Sequence, residues 1–142
     1  MHCMAPCADL NVKYIFDFGQ LQGIRKTLNW IKQEYSNPPV IITENGFSDL
    51  LGNLDDLQRI YYHKHYINNV LKAVKIDGCQ VEGYIAWSLL DNFEWSFGYT
   101  QKFGMVRVDF NSPNRTRTPK ESSRYYAKLV KDNGFKHSEC PC

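Results

Sequence analysis

Two short apolar runs, Val40-Ile41-Ile42-Thr43 and Tyr84-Ile85-Ala86-Trp87, constrain the fold of this chain more than any other feature. Neither run alternates polar with apolar residues, which is the pattern of strands buried on both faces in a parallel sheet. Parallel strands need a long crossover, and the segment from about Leu54 to Ile76 supplies one. There Ile60, His63, Ile67, Val70, Leu71 and Val74 share a helical stripe, and Asp77-Gly78 reads as the C-terminal stop. His63 on this stripe reads as a core histidine. His65 points elsewhere, which argues against a two-histidine metal clasp.

The flanking segments continue the alternation. Leu21, Ile24, Leu28, Ile31 and Tyr35 mark one face of a helix, which Asn37-Pro38-Pro39 ends. Past the second run, Val106, Val108 and Phe110 alternate with Arg107 and Asp109, predicting a half-exposed strand over Met105–Phe110 closed by Asn111-Ser112-Pro113-Asn114. Thr118-Pro119-Lys120-Glu121 has a capping-box pattern with proline at the first helical position, so a last helix is expected from there to Asn133-Gly134. The order helix, strand, helix, strand, hairpin segment, helix predicts an α/β protein built from βα units. Two parallel strands, however, cannot close a sheet or cover both of their faces. A piece of something larger is expected.

Composition narrows the function classes. With 43% hydrophobic and 14% aromatic residues the chain can build a core, which excludes disorder as a whole-chain description. Seventeen basic against fifteen acidic residues leave +2, with no run of like charge to track a phosphate backbone, so no nucleic-acid partner is expected. No eighteen apolar residues are consecutive, so no membrane span is expected, and the first ten residues lack the pattern of a signal peptide. Cys3, Cys7, Cys79, Cys140 and Cys142 form an odd set that suggests no complete disulfide framework. Cys3/Cys7 and His137/Cys140/Cys142 lack metal-ligand spacing and read as loose thiols, so no metal is expected.

Chemistry in parallel α/β folds gathers at the carboxyl ends of strands. Glu44 directly follows the first apolar run, with Asn45 and Gly46 behind it; a solvated strand-end glutamate is the plainer alternative. Trp87 ends the second run and leads to Glu94-Trp95. Together these offer a hydrogen-bond acceptor, an indole donor and a flat apolar face, the combination that carbohydrate asks for, with aromatic packing as the alternative.

At these residues the chain resembles a known family. Ile41-Ile42-Thr43-Glu44-Asn45-Gly46 is similar to the I-T-E-N-G motif of family 1 glycoside hydrolases, the β-glucosidase, lactase and klotho group. Ala86-Trp87-Ser88-Leu89-Leu90-Asp91-Asn92-Phe93-Glu94-Trp95 is similar to their second signature. Gly98-Tyr99-Thr100, Phe103-Gly104, Val108-Asp109, Arg117-Thr118-Pro119-Lys120 and Asn133-Gly134 follow in order. The resemblance divides the chain into a divergent segment 1–18, a partial family 1 domain 19–135 and a tail 136–142.

The resemblance implies a C-terminal fragment of a (β/α)₈ TIM barrel, strands 7 and 8 with their helices, since a whole barrel takes about 250 residues. It also implies retaining hydrolysis by two carboxylates about 5 Å apart. Glu44 matches the nucleophile, Trp87 the residue stacking under the sugar, Glu94 the acceptor for the 4- and 6-hydroxyls, Trp95 a donor to a ring hydroxyl, and Phe103 a pocket-lining aromatic. Intact Glu94-Trp95 implies an unphosphorylated small β-glycoside substrate, and the chemistry implies no cofactor. The acid/base of the family's N-E-P motif does not occur in these 142 residues, so the polypeptide alone is expected to be inactive. A klotho-like binding module and a truncated product without a folded state are the alternative readings. Asn114-Arg115-Thr116 is a glycosylation sequon consistent with a secreted or lumenal parent, and the compartment stays open. Tyr125 stands where many relatives carry Trp.

Overall fold

The computed structural model describes residues 18–135. The elements are helix α1 (Phe18–Glu34), strand β1 (Val40–Asn45), helix α2 (Leu57–Lys75), strand β2 (Val81–Ala86), a 3₁₀ turn (Trp95–Phe97), strands β3 (Val106–Val108) and β4 (Arg117–Pro119), and helix α3 (Glu121–Asp132). This is the order expected from the sequence. Cys3, Cys7, His137, Cys140 and Cys142 lie outside the described residues, so the thiols and the discounted metal grouping are not described.

Strands β1 and β2 pair as one two-stranded sheet. The Val40 N–H donates to the Gln80 carbonyl at 2.9 Å and, at the other end, the Trp87 N–H donates to the Asn45 carbonyl at 2.8 Å, so the strands run parallel. The expectation that both of their faces are buried is corrected: Ile41 and Ile85 are 56% and 55% exposed. Covering a second sheet face takes another layer of structure, and the described residues supply cover for one face only.

Two compact units share the chain. The first comprises described residues 18–42, 61–84 and 135, the second 43–60 and 85–134. In the first, Leu28, Val70, Ala73 and Cys79 form a buried cluster against which Ile24, Val40, Ile42, Val81 and Tyr84 pack. Leu71 from the expected stripe lies partly exposed, and Ala73 holds the core position instead. His63 is fully buried, with its Nδ1 3.5 Å from the Tyr84 hydroxyl. At the rim, the Arg25 guanidinium makes a bidentate pair with Asp77 at 2.6 and 2.7 Å, and the Asn29 amide adds a bond of 2.7 Å to the same carboxylate. These donors hold the Asp77 carboxyl down at about 2, the hydrogen bond from Arg25 being the largest cause. Gly78, at φ 70°, supplies the left-handed turn that ends α2.

In the second unit β3 pairs antiparallel with β4, Val106 opposite Pro119 and Val108 opposite Arg117. The strand expected to reach Phe110 stops at Val108. The Asp109 carboxylate accepts the Asn111 and Ser112 N–H groups at 3.0 and 3.3 Å, a local turn that competes with extension. The expected capping box is also corrected. Thr118 and Pro119 belong to β4, α3 begins at Glu121, and the residue before it, Lys120, makes no side-chain cap. The free N–H groups of α3 are satisfied from far along the chain: Glu121 donates to the Leu54 carbonyl at 2.8 Å and Ser122 to the Asp56 carboxylate at 2.9 Å. With its carbonyl engaged there, Leu54 stays outside α2, which starts at Leu57 rather than near Leu54. The C-terminal stop matches the sequence reading: Asn133 is left-handed, and it and Gly134 return their N–H groups to Val130 and Leu129.

Candidate active site

All five sequence-predicted site residues fall within the second unit, on three segments: the end of β1, the loop after β2, and the stretch leading into β3. Glu44 is the penultimate residue of β1 and is exposed. The next residue, Asn45, gives its carbonyl to the Trp87 N–H, so the nucleophile candidate and the stacking candidate sit on directly paired backbone. Gly46 is required here, because a Cβ would overlap the Trp87 carbonyl oxygen.

Trp87 and Glu94 are joined directly. The indole Nε1–H donates to Glu94 Oε1 at 3.2 Å, and Glu94 is only 6% exposed. The loop between them is held by the Ser88 hydroxyl donating to the Leu90 carbonyl at 2.8 Å and by the Asn92 amide donating to Ser88 Oγ at 3.1 Å. Beyond Glu94 the chain turns sharply, with the Glu94 N–H donating to the Gly98 carbonyl at 2.7 Å. Trp95, at φ 49°, occupies the left-handed region, which costs a non-glycine residue about 1–2 kcal/mol. Trp95 is 84% exposed and faces solvent. Phe103 is half-buried, and its carbonyl accepts the Ser88 N–H at 3.2 Å, binding its segment to the Trp87 loop.

Sequence reasoning missed the charged side chains that hold these segments. Arg59 is fully buried. Its Nε donates to Asp56 at 2.7 Å, its Nη1 to the Phe47 and Phe103 carbonyls, and its Nη2 to the Lys102 carbonyl at 3.0 Å. One guanidinium therefore ties the loop after Glu44 to the segment bearing Phe103, beside a reciprocal backbone pair between Asp49 and Lys102. Asp56 also takes the Ser122 hydroxyl at 2.6 Å. Asp91, 3% exposed, accepts the Gly104 N–H at 2.9 Å and lies 3.4 Å from the ammonium of the fully buried Lys120. Burial pushes the Lys120 ammonium down, Arg59 adds to the effect, and Asp91 and Asp56 oppose it. A count of acids and bases gives no sign of this network; the only trace in the sequence is that Asp91 and Lys120 lie inside motifs already noted.

At the carboxyl ends of its paired strands this α/β chain presents an exposed carboxylate, Glu44, and, in the loop after the second strand, an indole–carboxylate pair. The chain belongs to glycosyl hydrolase family 1, whose family model matches residues 11–135. It is 54% identical over 113 residues to lactase/phlorizin hydrolase of Homo sapiens, covering 80% of this chain and 6% of that protein. It is 47% identical over 114 residues to beta-klotho of Mus musculus, covering 80% of this chain and 11% of that protein. Among solved structures it matches an aphid myrosinase with a TM-score of 0.77 at 52% identity, covering 78% of this chain and 24% of that one. Each match thus engages most of this chain and a quarter or less of the relative.

Proposed function

We propose that this chain carries the nucleophile part of a retaining β-glycosidase site acting on small unphosphorylated β-glycosides, formed by strands 7 and 8 of a (β/α)₈ barrel and their helices. The observation that carries the reading is the register of Glu44: exposed at the carboxyl end of a parallel strand, one residue from backbone paired to Trp87. In this reading the Glu44 carboxylate attacks the anomeric carbon, the bond to the aglycone oxygen breaks, and that oxygen takes a proton from an acid. Water then releases the sugar from the glycosyl–Glu44 ester. Trp87 supplies the stacking face. Its bond to Glu94 Oε1 fixes the carboxylate that accepts the 4- and 6-hydroxyls, and Phe103 lines the pocket. The strained, exposed Trp95 suits a residue kept for a ligand rather than for packing. A negative charge at Glu94 opposes a phosphate on the sugar.

The N-E-P acid is absent from these 142 residues, and general acid assistance is worth about 10²- to 10⁴-fold. The chain by itself is therefore expected to be inactive. The test is hydrolysis of a chromogenic β-glucoside by the purified chain and its Glu44→Gln variant, with circular dichroism on the same samples. No turnover is expected from the chain alone; turnover that Glu44→Gln abolishes would overturn the inactivity and support the nucleophile. In any longer polypeptide that joins this segment to the acid, Glu44→Gln removes turnover and leaves the fold intact, and an active variant overturns the assignment. The likeness to beta-klotho supports a second reading, a non-catalytic binding module, which a cooperative fold with no turnover in the acid-bearing polypeptide would favour.

A further inference from the structure

The Asn114-Arg115-Thr116 sequon has no part in the site described above, and it is the only such sequon in the 142 residues. It falls in the turn between β3 and β4, where residues 111–114 reverse the chain and Asn114 is exposed. The turn is well built: Arg115 donates its N–H to the Ser112 carbonyl at 3.0 Å, and the Asp109 N–H donates to the Thr116 carbonyl at 2.9 Å. Arg115 adopts φ 48°, so the chain bends between the asparagine and the threonine. Several asparagine side chains are taken up by the fold: Asn29 bonds the Arg25 carbonyl and Asp77, Asn69 bonds the His65 carbonyl, and Asn92 bonds Ser88 and Leu90. At Asn114 the backbone carbonyl accepts Arg117 Nη1 at 3.3 Å, while among the described residues nothing engages the carboxamide. The base of the hairpin, where the Val106 N–H donates to the Leu89 carbonyl, adjoins the Trp87 loop, and the turn is the hairpin's other end.

We propose that Asn114 is an acceptor for an N-linked glycan. The donor is a lipid-diphosphate-linked oligosaccharide. Asn114 Nδ2 bonds to the sugar C1, the bond from C1 to the diphosphate oxygen breaks, one amide proton is lost, and the lipid diphosphate departs. The glycan then projects from the far end of the β3–β4 hairpin, clear of the Trp87–Glu94 pair, and adds a hydrophilic cover to a turn whose conformation the native bonds already set.

The full 142-residue chain, translated behind a cleavable secretory leader into endoplasmic-reticulum microsomes, tests this by intact mass before and after peptide N-glycanase. One glycan per chain is expected, mapping to position 114. Occupancy should fall to background in Asn114→Gln and in Thr116→Ala, and persist in Thr116→Ser, which keeps the hydroxyl. A chain that is protease-protected inside the microsomes yet carries no glycan overturns the proposal, as does a glycan that survives Asn114→Gln.

Discussion

The interiors of the two units differ in kind: the first buries an apolar cluster beside one histidine, the second chiefly charged and polar side chains. In the first, the buried cluster is apolar, made by Leu28, Val70, Ala73 and Cys79, and its main ion pair, Arg25 with Asp77, lies at the rim with the arginine side chain one-third exposed. In the second, the fully buried side chains are Arg59, Lys120 and Ser122, and the large aromatic residues Phe93, Trp95, Phe97 and Tyr99 face solvent. Apolar burial has no preferred direction, so it stabilises without fixing any atom to a fraction of an ångström. Buried charges are directional and costly to leave unpaired, so they fix the atoms they bond. The backbone that Arg59 fixes, at Phe47, Lys102 and Phe103, is the backbone a site needs held.

Replacing Arg59 with Ala breaks the comparison most forcefully. It leaves the Asp56 carboxylate and three carbonyls short of a donor, and about 3–5 kcal/mol of unfolding free energy should be lost in denaturant titrations. The fluorescence of Trp87 and Trp95 in the second unit should respond first; a loss below 1 kcal/mol would mean the guanidinium is dispensable. Leu28→Ala in the first unit should cost about 2–4 kcal/mol through lost contacts and a residual cavity, while Leu28→Met should cost less than about 1.5 kcal/mol because volume is kept. Equal costs for the two Leu28 variants would show that the first unit is as shape-specific as the second.

The smallest effect sharpens the contrast at the rim. The Asp77 carboxyl titrates near 2 in the folded chain against an ordinary value of 3.8. The folded state therefore binds fewer protons than the unfolded one between these values. The contribution of Asp77 to stability is complete above about pH 4 and is lost as pH falls toward 2. Arg25→Ala should flatten this part of the curve of melting temperature against pH, and an unchanged acid slope in that variant would remove Arg25 as the cause.

How much of this was legible follows from which interactions are local. The stripe of α1 from Leu21 to Ile31, the stop at Asn133-Gly134 and the placement of Glu44 at a strand end each depend on residues within a few positions of one another, so pattern alone found them, while Tyr35 falls past the helix end and is exposed. The start of α3 did not, because its capping groups come from Leu54 and Asp56, far back along the chain, and they outcompete the local Thr118–Glu121 pattern. Arg59 was missed for a related reason. In Asp55-Asp56-Leu57-Gln58-Arg59 it looks like a solvated charge, and only the convergence of Phe47, Lys102 and Phe103 makes it a buried one. Trp95 was visible as a residue type, but its left-handed backbone and 84% exposure were not.

The sequence by itself determined the order of the three helices and of strands β1 to β3, that a carboxylate stands at the end of β1, and the family, because periodicity and motifs are properties of neighbouring residues; β4 it read as the start of α3. The tertiary structure alone decided that Trp87 and Glu94 share a hydrogen bond, that one buried arginine ties the loop after Glu44 to the Phe103 segment, and that one sheet face stays open at Ile41 and Ile85. These depend on residues that meet only after the chain has folded, and directional bonds between distant groups leave no period in a sequence.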